Sequence, residues 1–566
     1  MCLRLGLLWS CAANSVAATD LRRLVRTDGP TTRMSIGWRQ TSGTFSHVQY
    51  RVKQSLGSWN NETTLVQHNY VNTVNGLTDP LNNSFVKLIG LTPDTDYEFK
   101  ICDTDGCSQS YTWFRTAPAS AETISFIAGG DSRRESSTDF SANDLARKNG
   151  FKLVAKMRPL FVLFSGDFMN DGTYSEWLVW LDEWQLTKSS DGRMYPIVPT
   201  HGNHENDVLD MVKQVFNVEG PAGNTANGTY NALSFGGDML RIWTLNTELE
   251  PGVGYSAFQS QNSQAWNEQT AWLAGDLQAH SEVTWKLANY HRPLRPHTSG
   301  KTEGLLRYSQ WAPLFDQYDV DLAIESDSHM VKYTLPVNYS AAAGNDEGFL
   351  AADYALGEHG TVFIGEGSWG APKRPIDDDK SWTLVSNSFW QFKHITVSPA
   401  ALDVRTVRFE ASSYPADVDA DVVALSQAEQ DAAPGALAAG VDLWSPFVGD
   451  GPLQLPFTVL PEVKEDANLV SDDGGSVEIP EGALYFNNFS SGFSSATYGD
   501  IRLVDLGCND TSSSNWYNFN GQKASINGYN STAADPDENC NDWMILPPQD
   551  LSSRSAITLT FDSDYN

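Results

Sequence analysis

Between residues 121 and 412 an apolar, strand-like run ends five times on residues able to bind a metal ion. "TISFIAGG" runs into Asp131, "LFVLFSG" into Asp167, and "MYPIVPTHG" into Asn203-His204-Glu205. "EVTWKLANY" ends on His291, and "YDVDLAIES" on Asp327-Ser328-His329. Strand-like runs alternating with helical patterns over this stretch predict an α/β domain. In α/β sheets ligands gather beyond the carboxyl ends of strands, so the five termini are expected to share one cleft. Gly130, Gly166 and Gly202 let the backbone approach closely there. A lone Gly-Asp is usually a turn and a lone histidine usually a satisfied hydrogen-bond partner, but five in order constrain fold and chemistry together. The candidate ligands Asp131, Asp167, Asn203, His291, Asp327 and His329 mix oxygen with imidazole, a set suited to Mn, Fe or Zn and poor for a thiolate-loving metal.

The 566 residues are enough for several units. Residues 30–118 alternate apolar strands with polar turns, which predicts an all-β sandwich. There "LTPDTDYEFKICDTDGCS" and "FRTAP" resemble a fibronectin type III domain, with Tyr97 as corner tyrosine and Trp38 as core tryptophan. The Ala/Asp/Pro-rich stretch 413–477 reads as a tether. In 478–566 strand patterns return, and "NDWMILPPQDLSSRSAITLTFDSDYN" resembles the choice-of-anchor jelly rolls, with the domain incomplete. The expected architecture is therefore multidomain: an N-terminal β-sandwich, a central α/β domain of two mixed sheets flanked by helices, and a C-terminal β jelly-roll fragment.

Residues 1–18 read as a short secretory signal, with a lipoprotein reading at Cys11 as the alternative. Outside that segment four cysteines form two local pairs, Cys102/Cys107 and Cys508/Cys540. Cys102 and Cys107 flank a tight Asp-Thr-Asp-Gly turn that sets them face to face across two strands. Local pairs behind an export signal favour disulfides, with free buried thiols as the alternative, and place the protein as secreted, periplasmic or cell-surface. Acidic residues outnumber basic ones by 70 to 38, a net charge of −32, so nucleic-acid binding is not expected. No run reaches the ~18 apolar residues of a membrane span.

In order and spacing, "GGDSR", "SGDFMNDG", "HGNHE", "YHRP" and "ESDSHMVKYTLP" resemble the five blocks of the calcineurin-like metallophosphoesterases, most closely the purple-acid-phosphatase branch. The resemblance implies an exported phosphoesterase that hydrolyses phosphate esters with two divalent or trivalent metal ions (Fe, Mn or Zn) and a hydroxide bridging them. It implies that Asp131 and His329 hold the first ion, Asp167 bridges both, and Asn203 and His291 hold the second. His204 would contact the substrate phosphate and protonate the leaving oxygen.

Three departures stand out. Asp327 occupies a position where the family has histidine, either as a hard oxygen ligand or as a turn aspartate. Asn170 replaces the tyrosine behind the purple colour, so that colour is not expected; the histidine missing at Arg133 would leave the first ion one protein ligand fewer, with Asn170 or water filling in. Arg133 stands where many relatives have a ligating histidine, either gripping the substrate phosphate or making a salt bridge. His297 and Asn170 are candidate substrate-binding residues. Trp177, Trp180 and Trp184, at helical spacing, predict a core face. His201 is either a loop-orienting or a packed histidine, and no role falls to His359 or His394. The rival readings are a metal-binding adhesin or scaffold with an impaired phosphatase domain, and a pure carbohydrate- or surface-binding protein. Cell-surface or polysaccharide contact would run through the accessory β domains.

Overall fold

Among the described residues, nine strands come first: β1 (Thr19–Val25), β2 (Met34–Gln40), β3 (His47–Val52), β4 (Asn60–Glu62), β5 (Leu65–Tyr70), β6 (Leu81–Leu88), β7 (Asp96–Asp103), β8 (Gly106–Cys107) and β9 (Thr112–Arg115). The computed structural model describes residues 19–26, 28–71, 80–108, 112–134, 142–205, 211–218, 220–221, 229–253, 259–339, 360–409, 418, 422–444, 457–459, 502–505 and 542–545. One layer runs β1-β2-β6-β5, and the other runs β4-β3-β7-β8 with β9 on β7. Alternation does the sorting. In β7, Tyr97, Phe99 and Ile101 point inward and pack with Trp38, Val86 and Phe114. The Tyr97 hydroxyl accepts from the Thr92 amide at 2.9 Å and closes the corner. Cys102 and Cys107 pair directly across β7 and β8 and form a disulfide. Cys508 and Cys540 lie outside the described residues.

The central domain is a four-layer helix–sheet–sheet–helix stack. In the first sheet β10 (Ile124–Gly129), β11 (Val162–Phe164) and β12 (Pro196–Pro199) run parallel. The second sheet holds β13 (Asn231–Phe235), β14 (Leu240–Thr244), β15 (Trp285–Asn289), β16 (Leu322–Ile324), β17 (Val331–Thr334), β18 (Val362–Gly365) and β19 (Thr383–Asn387), in the order β13-β14-β15-β16-β18-β17-β19. Then β20 (Gln391–Val397) and β21 (Leu402–Arg408) return to the first sheet beside β10.

The strands of the first sheet are buried on both faces, which is why they read as unbroken apolar runs. Phe126 and Ala128 of β10 pack between the sheets with Leu163, Ile242, Leu287 and Ile324, while Ile127 packs on the helical side. That side is covered by α1 (Ala142–Met157) and α2 (Tyr174–Trp184), where Trp177, Trp180 and Trp184 form the buried face that their spacing predicts. A capping box between Thr173 and Glu176 starts α2. The far face of the second sheet is covered by two further helices, 259–279 and 305–317, through Trp266, Leu273, Trp311 and Phe315.

Two boundaries differ from the sequence reading. Among the described residues the sandwich already includes β1, ahead of residue 30, because that strand pairs antiparallel with β2 and parallel with β12. Its first layer and the first central sheet are therefore one continuous sheet of eleven strands. The expected tether from 413 to 477 is in part packed structure. Val418, Val422 and Ala438 are buried in the helical-side core, and Leu443 and Trp444 pair with β21, as do residues 457–459. Apolar residues spaced between Ala and Asp suffice to dock this segment, although its average composition is that of a spacer. Among the described residues of the expected jelly roll, 502–505 and 542–545 pair antiparallel; the rest of it lies outside them. Among the described residues no helix is long and apolar enough to cross a membrane.

Candidate metal centre

The loops that follow β10, β11, β12, β15 and β16 converge at the carboxyl edge of the two sheets. Ligand atoms of Asp131, Asp167, His291 and Asp327, all four buried, lie within 4.8 Å of one another. Asp131 (φ 57°), Asp167 (φ 56°), Asp327 (φ 67°) and His329 (φ 55°) all take left-handed backbone conformations. Such residues cost about 1–3 kcal/mol each and persist where the surroundings hold them to a task. The surroundings here are interleaved loops. A Cβ on Gly367 would lie 1.7 Å from Asp131 Oδ2, and one on Gly202 would lie 2.5 Å from both the amide nitrogen and Oδ1 of Asp167.

Hydrogen bonds fix each donor. Asp131 Oδ2 accepts from Ser326 Oγ at 2.6 Å and from the Asp327 amide at 2.9 Å. His329 Nδ1 donates to the Pro372 carbonyl at 2.7 Å, which turns the Nε2 lone pair toward Asp131 Oδ1 at 3.1 Å. His291 Nδ1 donates to the Ser165 carbonyl at 2.8 Å. Its Nε2 faces three acceptors: Asn203 Oδ1 at 3.0 Å, Asp167 Oδ1 at 3.2 Å and Asp327 Oδ1 at 3.5 Å. With Nδ1–H on the Ser165 carbonyl, a neutral His291 turns its Nε2 lone pair toward these oxygens, an arrangement that a cation among them satisfies. Asp131 Oδ1, Asp167 Oδ2 and His329 Nε2 are moreover buried with no hydrogen-bond partner among the described residues. The residues fit a metal.

The charges respond to one another. Burial opposes ionisation of Asp167, but His291 and His204 beside it hold its carboxyl below the usual range. Burial likewise opposes a charged His291, yet Asp167 and Asp327 raise it well above an ordinary imidazole. Asp327 is held well below the usual carboxylate range against burial by His291, Lys301 and Arg292.

His204 and Arg133 stand at the open side. The His204 side chain is 24% exposed, against 0% for His291 and 1% for His329. Its Nδ1 donates to the Asn170 carbonyl at 2.6 Å, and its Nε2 lies 3.7 Å from Asp167 Oδ2. Arg133 Nε is 3.9 Å from Asp167 Oδ2, and its NH1 donates to Asn170 Oδ1 at 3.3 Å. Asn170 thus orients both groups through its carbonyl and its amide. His297 is a correction. It is fully buried, with Nδ1 on the Arg295 carbonyl, Nε2 against Thr383 Oγ1 and its ring edge-on to Trp382, so no face is left for substrate.

Two residues of the site take parts that sequence reasoning did not assign. Glu205, fully buried, accepts from the backbone amides of Asp167 (2.9 Å), Phe168 (3.0 Å) and Gly202 (2.8 Å), tying two of the loops together. Its place directly after the Asn203-His204 pair was the available signal. Burial, and then the Asp167 charge, push its pKa up to about 8. Glu205→Ala would strand three buried N–H groups at about 1–3 kcal/mol each, so a loss of several kcal/mol in urea unfolding is expected. Wild-type stability in that variant would remove Glu205 from this role. Lys301, ion-paired to Asp327 Oδ1, is the second, and no local pattern announces it.

Residues 22–116 match the family described as the purple acid phosphatase N-terminal domain, and residues 138–331 match the calcineurin-like phosphoesterases. Two uncharacterised Mycobacterium tuberculosis proteins, from strains CDC 1551 / Oshkosh and ATCC 25618 / H37Rv, are each 25% identical over 289 residues. Those matches cover 46% of this chain and 51% of each relative, so the chain spans about half the length of the curated relatives it matches. Among solved structures, GAP50, the anchor in the inner membrane complex of Plasmodium, matches with a TM-score of 0.37 at 15% identity, over 51% of this chain and 85% of that one.

Proposed function

Since this chain belongs with the calcineurin-like metallophosphoesterases that carry a purple acid phosphatase N-terminal domain, we propose that it hydrolyses phosphate esters with metal ions held at the convergent loops. The observation that carries this reading is the buried, four-residue ligand cluster of Asp131, Asp167, His291 and Asp327. Asn203 and His329 complete the expected donor set. Metal ions bound there supply positive charge to the phosphoryl oxygens and acidify the attacking water.

The chain's own groups do the rest. Arg133, with its guanidinium at the open side, orients the phosphate by charge-assisted hydrogen bonds. With Nδ1–H held by the Asn170 carbonyl, His204 turns Nε2 to the open side, and in its protonated form the ring can pass the Nε2 proton to the departing oxygen. The backbone amides anchored by Glu205 keep Asp167 in place while charge develops. The Cys102–Cys107 disulfide supports an exported protein, since such bonds persist in oxidising compartments.

The test uses the full chain. Chelator-treated protein is expected to lose turnover of an aryl phosphate and to regain it on reloading with Mn, Fe or Zn. Turnover indifferent to metal removal, or none after reloading, would sink the proposal. Bound metal without turnover would instead point to a metal-binding scaffold.

A further inference from the structure

The two halves of the candidate ligand set are not alike. On one side, Asp131 Oδ1, Asp167 Oδ2 and His329 Nε2 are buried acceptors without a hydrogen-bond partner among the described residues; Arg133 Nε and His204 Nε2 stand off from Asp167 Oδ2 at 3.9 and 3.7 Å. On the other, the acceptors already have cations or donors of the chain. Asp167 Oδ1 accepts from the His204 amide at 3.0 Å. Asp327 Oδ1 is ion-paired with Lys301, and Asp327 Oδ2 lies 4.0 Å from Arg292 NH1. Arg292 is itself anchored on Glu248 through Nε at 2.5 Å and NH2 at 3.1 Å, so it cannot follow Asp327. Lys301 carries a compact charge on a long aliphatic stem, has its side chain 17% exposed, and has Asp327 as its ion-pair partner.

We propose that the centre is asymmetric, with one resident ion at Asp131, Asp167 and His329, and with the Lys301 ammonium standing in for the charge of a second ion at Asp327. The proposal rests on the metal-dependent reading above and departs from it in the number of ions held. Buried acceptors that lack a hydrogen-bond donor gain from a cation that enters. A set that Lys301 already neutralises must first give up that ion pair, so its affinity for a second cation falls by the strength of the pair.

The full chain is loaded with excess Mn(II), desalted, and its metal counted by elemental analysis, so the readout is independent of activity. Wild type is expected to retain about one equivalent, Lys301→Met about two, and Lys301→Arg, which keeps the charge, about one. Lys301→Gln serves as a second neutral variant should Lys301→Met fold poorly, with circular dichroism as the check. Two equivalents or none in wild type, or no gain in the neutral variants, overturns the inference. Wild type that holds two ions and cleaves an aryl phosphate overturns the inference alone; wild type that holds one ion without turnover overturns the functional reading alone.

Discussion

Asp167→Ala is expected to lower kcat/KM for an aryl phosphate by roughly 10³-fold, because a metal contributes several kcal/mol of transition-state charge stabilisation and each 1.36 kcal/mol is tenfold. Asp167 is the hub of the cluster. Its Oδ1 meets His291 and the His204 amide, its Oδ2 lies toward Arg133 and the His204 ring, and its own amide is held by Glu205. Retained metal should fall in parallel. Because alanine is disfavoured at the φ of 56° found here, Asp167→Asn provides a variant with the same backbone tolerance. Steady-state kinetics with elemental analysis decide the matter, and wild-type turnover in either variant would exclude Asp167 from the chemistry.

The second large effect lies one layer below. Lys332, fully buried, is paired with Glu325 at 2.5 Å and with Glu366, and donates to the Arg295 carbonyl at 3.1 Å. Glu325 also accepts from Tyr290 Oη at 2.7 Å and the Leu294 amide at 2.8 Å. Burial disfavours a charged lysine here, but the two glutamates raise its pKa and keep it protonated. Lys332→Met leaves two buried carboxylates without their counter-charge and is expected to cost about 3–5 kcal/mol. Adding Glu366→Gln should restore part of that loss. Urea unfolding measures both, and an unshifted midpoint for Lys332→Met would show that the pair contributes nothing. Since the Glu366 carbonyl and amide clasp Met330, next to His329, the single variant should also loosen the metal loop.

What the sequence could show follows from range. The five ligand-bearing loops were legible because each follows directly on its strand, and parallel strands place all such ends on one edge. Trp177, Trp180 and Trp184 were legible through helical period alone. Lys301 was not, because its partner Asp327 is 26 residues away across a loop and a helix, where no periodicity operates. His297 failed for the opposite reason. Its neighbourhood in "HRPLRPH" looks like a site, yet Thr383 and Trp382, more than 80 residues downstream, close over it. The left-handed backbone at four candidate ligands is equally invisible in a string of residue types, since it is imposed by the loops around them.

The pairing of β1 with β12 has a consequence for how the molecule holds together. A sandwich joined to an α/β domain by a linker would be a bead on a string, free to swivel or to be lost by a single cut. Here the sheet hydrogen bonds run from one into the other, and the strand that bridges them immediately precedes the loop bearing Asn203 and His204. Stripping away the first layer would turn β12 from an interior strand into an open edge, with unpaired amides and carbonyls exposed to other chains. The N-terminal module is thus a splint for the sheet on which the ligands are mounted.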